Sequence, residues 1–179
     1  MKAKTLTLAA ALVSGAGALS LGVHAAPAAK AAGPGAVAHR FIDDFNRGDA
    51  AGAEATQVAD VSIIDEVPPH AWKGPGAFTA WAGDLAKASK AAGDTDEKVM
   101  MGRPSRLVIE GDVAYAVFPV IYRYNEKGVA TVEPAHMVYA FRKEGGAWKI
   151  TAWTWAGGAP HPAAAKPAAK PGAAPAKKP

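Results

Sequence analysis

Two neighbouring acids, Asp65 and Glu66, stand where the loosely alternating strand Val61 to Asp65 ends, and are followed at once by Val67-Pro68-Pro69. A carboxylate at the inner end of a strand, facing apolar walls, has its charged form disfavoured by desolvation. Its pKa then rises toward that of a working general base. Phe41, Phe78 and Trp81 are the residues that could build such walls around Asp65. The competing reading is a solvated acid that forms a turn. Glu66 points away from Asp65 if the strand continues, because successive side chains alternate between faces, and the Pro68-Pro69 break could turn it back to the pocket rim. His136 shares strand parity with Val138 and Ala140; there an imidazole could donate to a developing oxyanion or exchange protons with Asp65, or it could be an ordinary rim histidine. Tyr115, Tyr122 and Tyr139 lie on strands, where they could hydrogen-bond a ligand or pack as wall. Trp72 is placed either over the pocket mouth or in the core.

Other chemistries lack their residues. There is no cysteine, which removes thiol catalysis and Cys-ligated metal. His39 and Asp43 stand four apart on a helix, but nothing completes a metal site, so none is expected. Neither a glycine-rich phosphate loop nor a GxSxG elbow is present, and no cofactor is expected.

The elements that must position Asp65 can be read from periodicity. Val37, Phe41, Ile42 and Phe45 recur at helical spacing with Arg40, Asp43, Asp44 and Arg47 opposite. Gly48 stops that helix and Asp49 caps a weaker second one through Val58. Gly74-Pro75 opens a third helix with buried stripe Phe78, Trp81, Ala82, Leu85 and Ala88, ending at Gly93-Asp94. Strand grammar follows: Lys98 to Ile109, Val113 to Tyr124, Val129 to Arg142 and Trp148 to Trp155, separated by Gly-bearing turns. Helices followed by strands indicate an α+β fold, a cone-shaped roll of N-terminal helices packed in a curved antiparallel or mixed sheet, with a pocket at the open end.

The ends are different in kind. Met1 to Lys4 is basic, Thr5 to Leu21 is apolar and uncharged, and Val23-His24-Ala25 places small residues before Ala26. This is the order of a secretory signal peptide cleaved near Ala25-Ala26, and it implies a periplasmic or secreted protein with no stable membrane span. Residues 26–35 read as a linker and 36–158 as the domain. The Ala/Pro/Lys stretch 159–179 reads as a disordered tail. Six of the chain's 20 basic residues lie in these ends, leaving 14 against 16 acidic. The alkaline balance therefore belongs to the ends, and the folded part has no call for nucleic acid.

From Ala36 to about Gly157 the chain resembles the nuclear transport factor 2-like superfamily in its SnoaL-like, ketosteroid-isomerase-like branch. The residues that carry this are Phe41-x-x-x-Phe45-Asn46-Arg47-Gly48-Asp49, Asp60, Asp65, Trp72-Lys73-Gly74 and the hairpin Gly145 to Trp153. The resemblance places Asp65 where ketosteroid isomerase keeps its base, Phe41 where that family has its oxyanion tyrosine, and His136 where it has its oxyanion aspartic acid. Loss of one oxyanion donor costs on the order of 10²–10³ in rate, which argues against steroid isomerisation itself. Family members often pair through the outer sheet face. With Trp148, Ile150 and Ala152 on one face of the last strand and Thr151, Trp153 and Trp155 on the other, the expectation is a homodimer through Thr151, Trp153 and Trp155. The functional expectation is a module that binds a small, largely apolar molecule, with Asp65 and His136 as catalytic candidates and Phe41, Glu66, Trp72, Phe78, Trp81, Tyr115 and Tyr122 around the ligand. The alternatives are an isomerase, dehydratase or cyclase acting on a carbonyl compound, and a non-catalytic protein-interaction module.

Overall fold

The computed structural model describes residues 32–164. The expected signal peptide, most of the linker and the tail from 165 onward lie outside the described residues. Helix α1 (Pro34–Asn46) begins two residues before the expected Ala36, with proline in its first turn, where the missing N–H costs nothing. Its buried face is Ala38, Phe41 and Ile42, with Phe45 packed against the same core. The Asn46 side chain then ties the helix to a strand far along the chain: its Nδ2 donates to Val99 O (2.8 Å) and its Oδ1 accepts from Val99 N (2.9 Å). Asp49 caps helix α2 (Ala50–Ala55) by accepting from Gly52 N at 2.8 Å. Helix α3 (Ala77–Ala92) is bracketed by Gly76 and Gly93, both left-handed, and ends one residue before the first strand of the meander.

The strands are β1 (Gln57–Ile64), β2 (Ala71–Lys73), β3 (Asp94–Met101), β4 (Arg106–Glu110), β5 (Val113–Glu126), β6 (Val129–Glu144), β7 (Ala147–Gly157) and β8 (His161–Pro162). They run β2-β1-β7-β6-β5-β3 across one sheet, with β4 also on β5 and β8 also on β6. Every pairing is antiparallel except β1 with β7, which is parallel. The fold is α+β, a few helices packed in a curved mixed sheet. Among the described residues no helix is long and apolar enough to cross a membrane.

Two expectations are corrected here. First, Ala140 pairs with Ala152 but Phe141 pairs with Ile150, so β7 carries Thr151 as an extra residue. Such a bulge reverses which parity faces the core. Trp148 and Ile150 point inward before it, and Trp153 and Trp155 point inward after it. Trp153 is only 2% exposed, and its Nε1 donates to Gln57 Oε1 at 3.0 Å. The aromatic surface expected to pair two copies is thus in the core, and the outer face carries Ala152 and Thr154 in its place. Second, the chain is not free from residue 159. Gly158 N donates to Pro134 O and Ala163 N to Ala130 O, each at 2.8 Å, and β8 pairs with Thr131 and Val132. Beyond Gly157 these β6 residues have no β7 partner, so the start of the tail completes the ladder.

Candidate functional site

Val61, Ile63 and Asp65 alternate inward along β1, and Asp65, one residue past its end, is 8% exposed. Both of its oxygens are used. Oδ1 accepts from Val67 N at 3.0 Å, an Asx-type turn. Oδ2 accepts from Trp81 Nε1 at 3.1 Å. The Asp65 N–H donates to His70 O, and His70 N–H to Val67 O, closing the loop around the cis Pro68-Pro69 bond. The two readings of this acid, turn former and pocket carboxylate, therefore describe its two oxygens.

Among the described residues, Asp65 is the only carboxylate lining a cavity of about 50 Å³. Phe41, Met137, Trp81, Trp153, Trp155 and Tyr122 stand around it. The indoles of Trp81 and Trp153 meet edge to face at 4.7 Å between ring centroids, and Phe41 lies 5.6 Å from Trp153. Such contacts contribute about 0.5–1.5 kcal/mol each beyond their buried area. Asn46, by anchoring α1 to Val99, holds Phe41 and Phe45 over this space.

Several expected ligand residues stand elsewhere. His136 is exposed on the outer sheet face, opposite Pro119 and Ala156, and cannot reach Asp65 through the sheet. Tyr115 is on the same outer face, 41% exposed. The reason is parity: on β6 the inward set is Thr131, Glu133, Ala135, Met137, Tyr139 and Phe141, and on β5 it is Ala114 to Tyr122 in even numbers. Phe78 is buried behind the wall, against Phe41 and Trp81. Trp72 is buried beneath α3, its Nε1 donating to Asp84 Oδ2 at 3.1 Å. Tyr139 is wall, its hydroxyl 3.0 Å from Met137 Sδ. Tyr122 does line the cavity, and burial with Glu97 beside it pushes its phenol well above the ordinary value.

The group that sequence reasoning missed is Glu133, 2% exposed. Its signal was available, since it shares parity with the bulky stripe Met137, Tyr139 and Phe141, whereas His136 shares parity with Val138 and Ala140. Its Oε1 accepts from Trp155 Nε1 at 2.9 Å. Burial, opposed by that indole bond and reinforced by Glu66 and Asp65, pushes its carboxyl up to about 7. Burial and the Asp65 charge also raise Glu66, while its bond to Glu133 lowers it. Among the described residues no cation is ion-paired with Asp65, Glu66 or Glu133, and no group of three His, Asp or Glu side chains is arranged to hold a metal.

The model of the SnoaL-like domain family matches residues 35–154, and the chain belongs to that family. The fold is that of nuclear transport factor 2-like proteins. Among solved structures it is similar to hexachlorocyclohexane dehydrochlorinase LinA-type3 from Novosphingobium barchaimii LL02, at 14% identity over 75% of this chain and 90% of that one, TM-score 0.62. It is similar to an NTF2-like protein with a cystatin-like fold from Novosphingobium aromaticivorans, at 20% identity over 68% and 77%, TM-score 0.55. A ketosteroid isomerase-like protein from Erwinia carotovora atroseptica aligns at 20% identity over 68% and 91%, TM-score 0.50. No curated protein matches the chain in sequence.

A buried acid with a raised pKa makes stability depend on pH. Between the ordinary 4.5 and about 7 the folded protein holds a proton on Glu133 that the unfolded chain has released. The contribution is full at low pH and is lost as pH rises through about 7. The melting temperature should therefore be higher at pH 5 than at pH 8, and Glu133→Gln should remove most of that difference while raising the value at pH 8. Scanning calorimetry at both pH values checks this; a wild-type protein more stable at pH 8, with the variant unchanged, would contradict it.

Proposed function

We propose that this domain binds a small, largely apolar molecule in the aromatic cavity and that Asp65 accepts a proton from it. The observation that carries the reading is the placement of one carboxylate in a cavity otherwise walled by rings and aliphatic groups. In such surroundings a charge is poorly solvated, so a proton on a bound molecule is the natural partner for it. Trp81 Nε1 fixes the direction of Oδ2, and a positioned base contributes about 10²–10⁴-fold. One structural neighbour is a dehydrochlorinase and another is ketosteroid isomerase-like; loss of HCl and isomerisation beside a carbonyl both begin with removal of a proton from carbon, and the cavity is suited to that step. A carbonyl oxygen would find no donor at Phe41 or His136.

Size limits the occupant. About 50 Å³ is well below the roughly 150 Å³ that accepts benzene in an engineered core. A guest of ring size enters only if a lining side chain swings aside. Phe45, Leu85, Tyr122 and Trp155 are the half-buried members of the wall and the ones with room to move. The order of basic, apolar and small residues from Met1 to Ala25 supports export with removal of that segment. Intact mass of protein from an exporting host should begin at Ala26, and a mass retaining Met1 to Ala25 would contradict export.

The five tryptophans provide an internal control for the pocket itself. Titration with small cyclic ketones should shift the indole N–H resonances of Trp81, Trp153 and Trp155 and leave those of Trp72 and Trp148 in place. Shifts in all five, or in none, would sink the cavity reading. Asp65→Asn replaces one of two acceptors with a donor facing either Trp81 Nε1 or Val67 N. It should cost about 1–3 kcal/mol of stability and lower any proton-transfer turnover of the bound ketone, read as deuterium uptake beside the carbonyl, by about 10²–10⁴-fold. His136→Ala should leave that turnover unchanged.

A further inference from the structure

Behind Trp155, three polar atoms converge on a glycine. A Cβ placed on Gly157 would overlap Glu133 Oε1 and would lie 2.7 Å from Glu66 Oε2 and 3.0 Å from Trp155 Nε1. Glu133 reaches this point from the inner face of β6, Glu66 from the turn after β1, and Trp155 from β7. The three come from chain segments far apart, and only a residue without a side chain leaves them room. Two carboxyl groups so close cannot both remain ionised without a counter-ion, and among the described residues neither has a cation in an ion pair. The available arrangement is one carboxylic acid hydrogen-bonded to one carboxylate, with the Trp155 indole donating to Glu133 Oε1.

We propose that Glu133 and Glu66 share one proton over Gly157, and that Glu133 is thereby a positioning residue that holds Trp155, a half-buried wall of the ligand cavity. This rests on the cavity reading given above. Glu133 does not line the cavity and acts only through the indole. With the proton in place, Glu66, Glu133 and Trp155 form one hydrogen-bonded chain that clamps the Asp65–His70 loop to the end of β7. When the proton leaves, Asp65, Glu66 and Glu133 all carry charge. Glu66, being exposed, turns to solvent; the buried Glu133 carboxylate admits water, and the clamp on Trp155 is released. The other groups facing Glu133 are Tyr122, directly opposite on β5, and Tyr124, whose phenol is pushed up by burial, Asp94 and Glu133 among others. Both phenols are raised and stay neutral across this range, so neither supplies the proton. On β8, His161 pairs with Val132, and its Nδ1 is engaged with Pro162 O at 3.1 Å.

The test is a pH titration of the ligand-free protein from 5 to 9, following the Trp155 indole N–H resonance and its exchange with water, with Trp72 and Trp148 as references. The expected result is a single titration step for Trp155, with water exchange rising at least tenfold more than at the two reference indoles. In Glu133→Gln the Trp155 resonance should be flat. In Glu66→Gln, which removes the repelling charge and keeps Glu133, the step should persist at lower pH. A Trp155 resonance that is flat in the wild type, that still titrates in Glu133→Gln, or whose midpoint ignores Glu66→Gln overturns the proposal. No ligand is present, so failure here leaves the cavity reading to the ketone experiment, and failure there leaves the carboxyl pair untouched.

Discussion

One extra residue in one strand determines the interior of this domain. The bulge at Thr151 switches the inward parity of β7 midway, so that Trp148 and Ile150 pack at one end of the cone and Trp153 and Trp155 at the other. Without it the second pair would stand on the outer face and the cavity would lose two of its walls. Trp153 then has no place beside Phe41 and Trp81, and Glu133 has no indole to hold. The parallel pairing of β1 with β7 shifts register between Gln57 and Ser62 and resumes at Ser62 and Ala152 beyond the bulge, which brings Asp65 to the same end as the rings.

The elements were legible because each carries a local signal. The helical stripe around Phe41 and Phe45, the Gly48-Asp49 stop and cap, and the Gly-bearing turns all name their own conformation, and the α+β cone follows from their order. Asp65 was legible as a carboxylate at a strand end. What was not legible depends on parity carried over distance. His136 reads as inward because it shares parity with Val138 and Ala140, yet small apolar residues are tolerated on an outer face while Met137, Tyr139 and Phe141 need burial, which puts Glu133 inside instead. A bulge leaves no mark in composition, so Trp153 was assigned the wrong side. The short pairing of β8 comes from a segment of low hydrophobicity and is explained only by the unmatched end of β6.

The interior combines opposing demands. The rings around Asp65 stabilise the fold by burial and edge-to-face contact, and the same rings exclude the water that Asp65 and Glu133 would otherwise use. Trp81 and Trp155 offset part of that cost, each through one N–H on a carboxylate. The acids are thereby retained inside at some expense in stability, as polar groups in functional cavities commonly are. The half-buried wall at Trp155 is the place where that expense is smallest to relieve.

The central claim is that Trp81 and Trp153 are both inside, with their indole N–H groups bonded to Asp65 and Gln57. Hydrogen exchange of these two indole protons tests it most directly. The account predicts that both exchange as slowly as the most protected backbone amides of β6 and β7, through global unfolding. Exchange of the Trp153 indole as fast as in an exposed tryptophan would place it on the outer face and contradict the account.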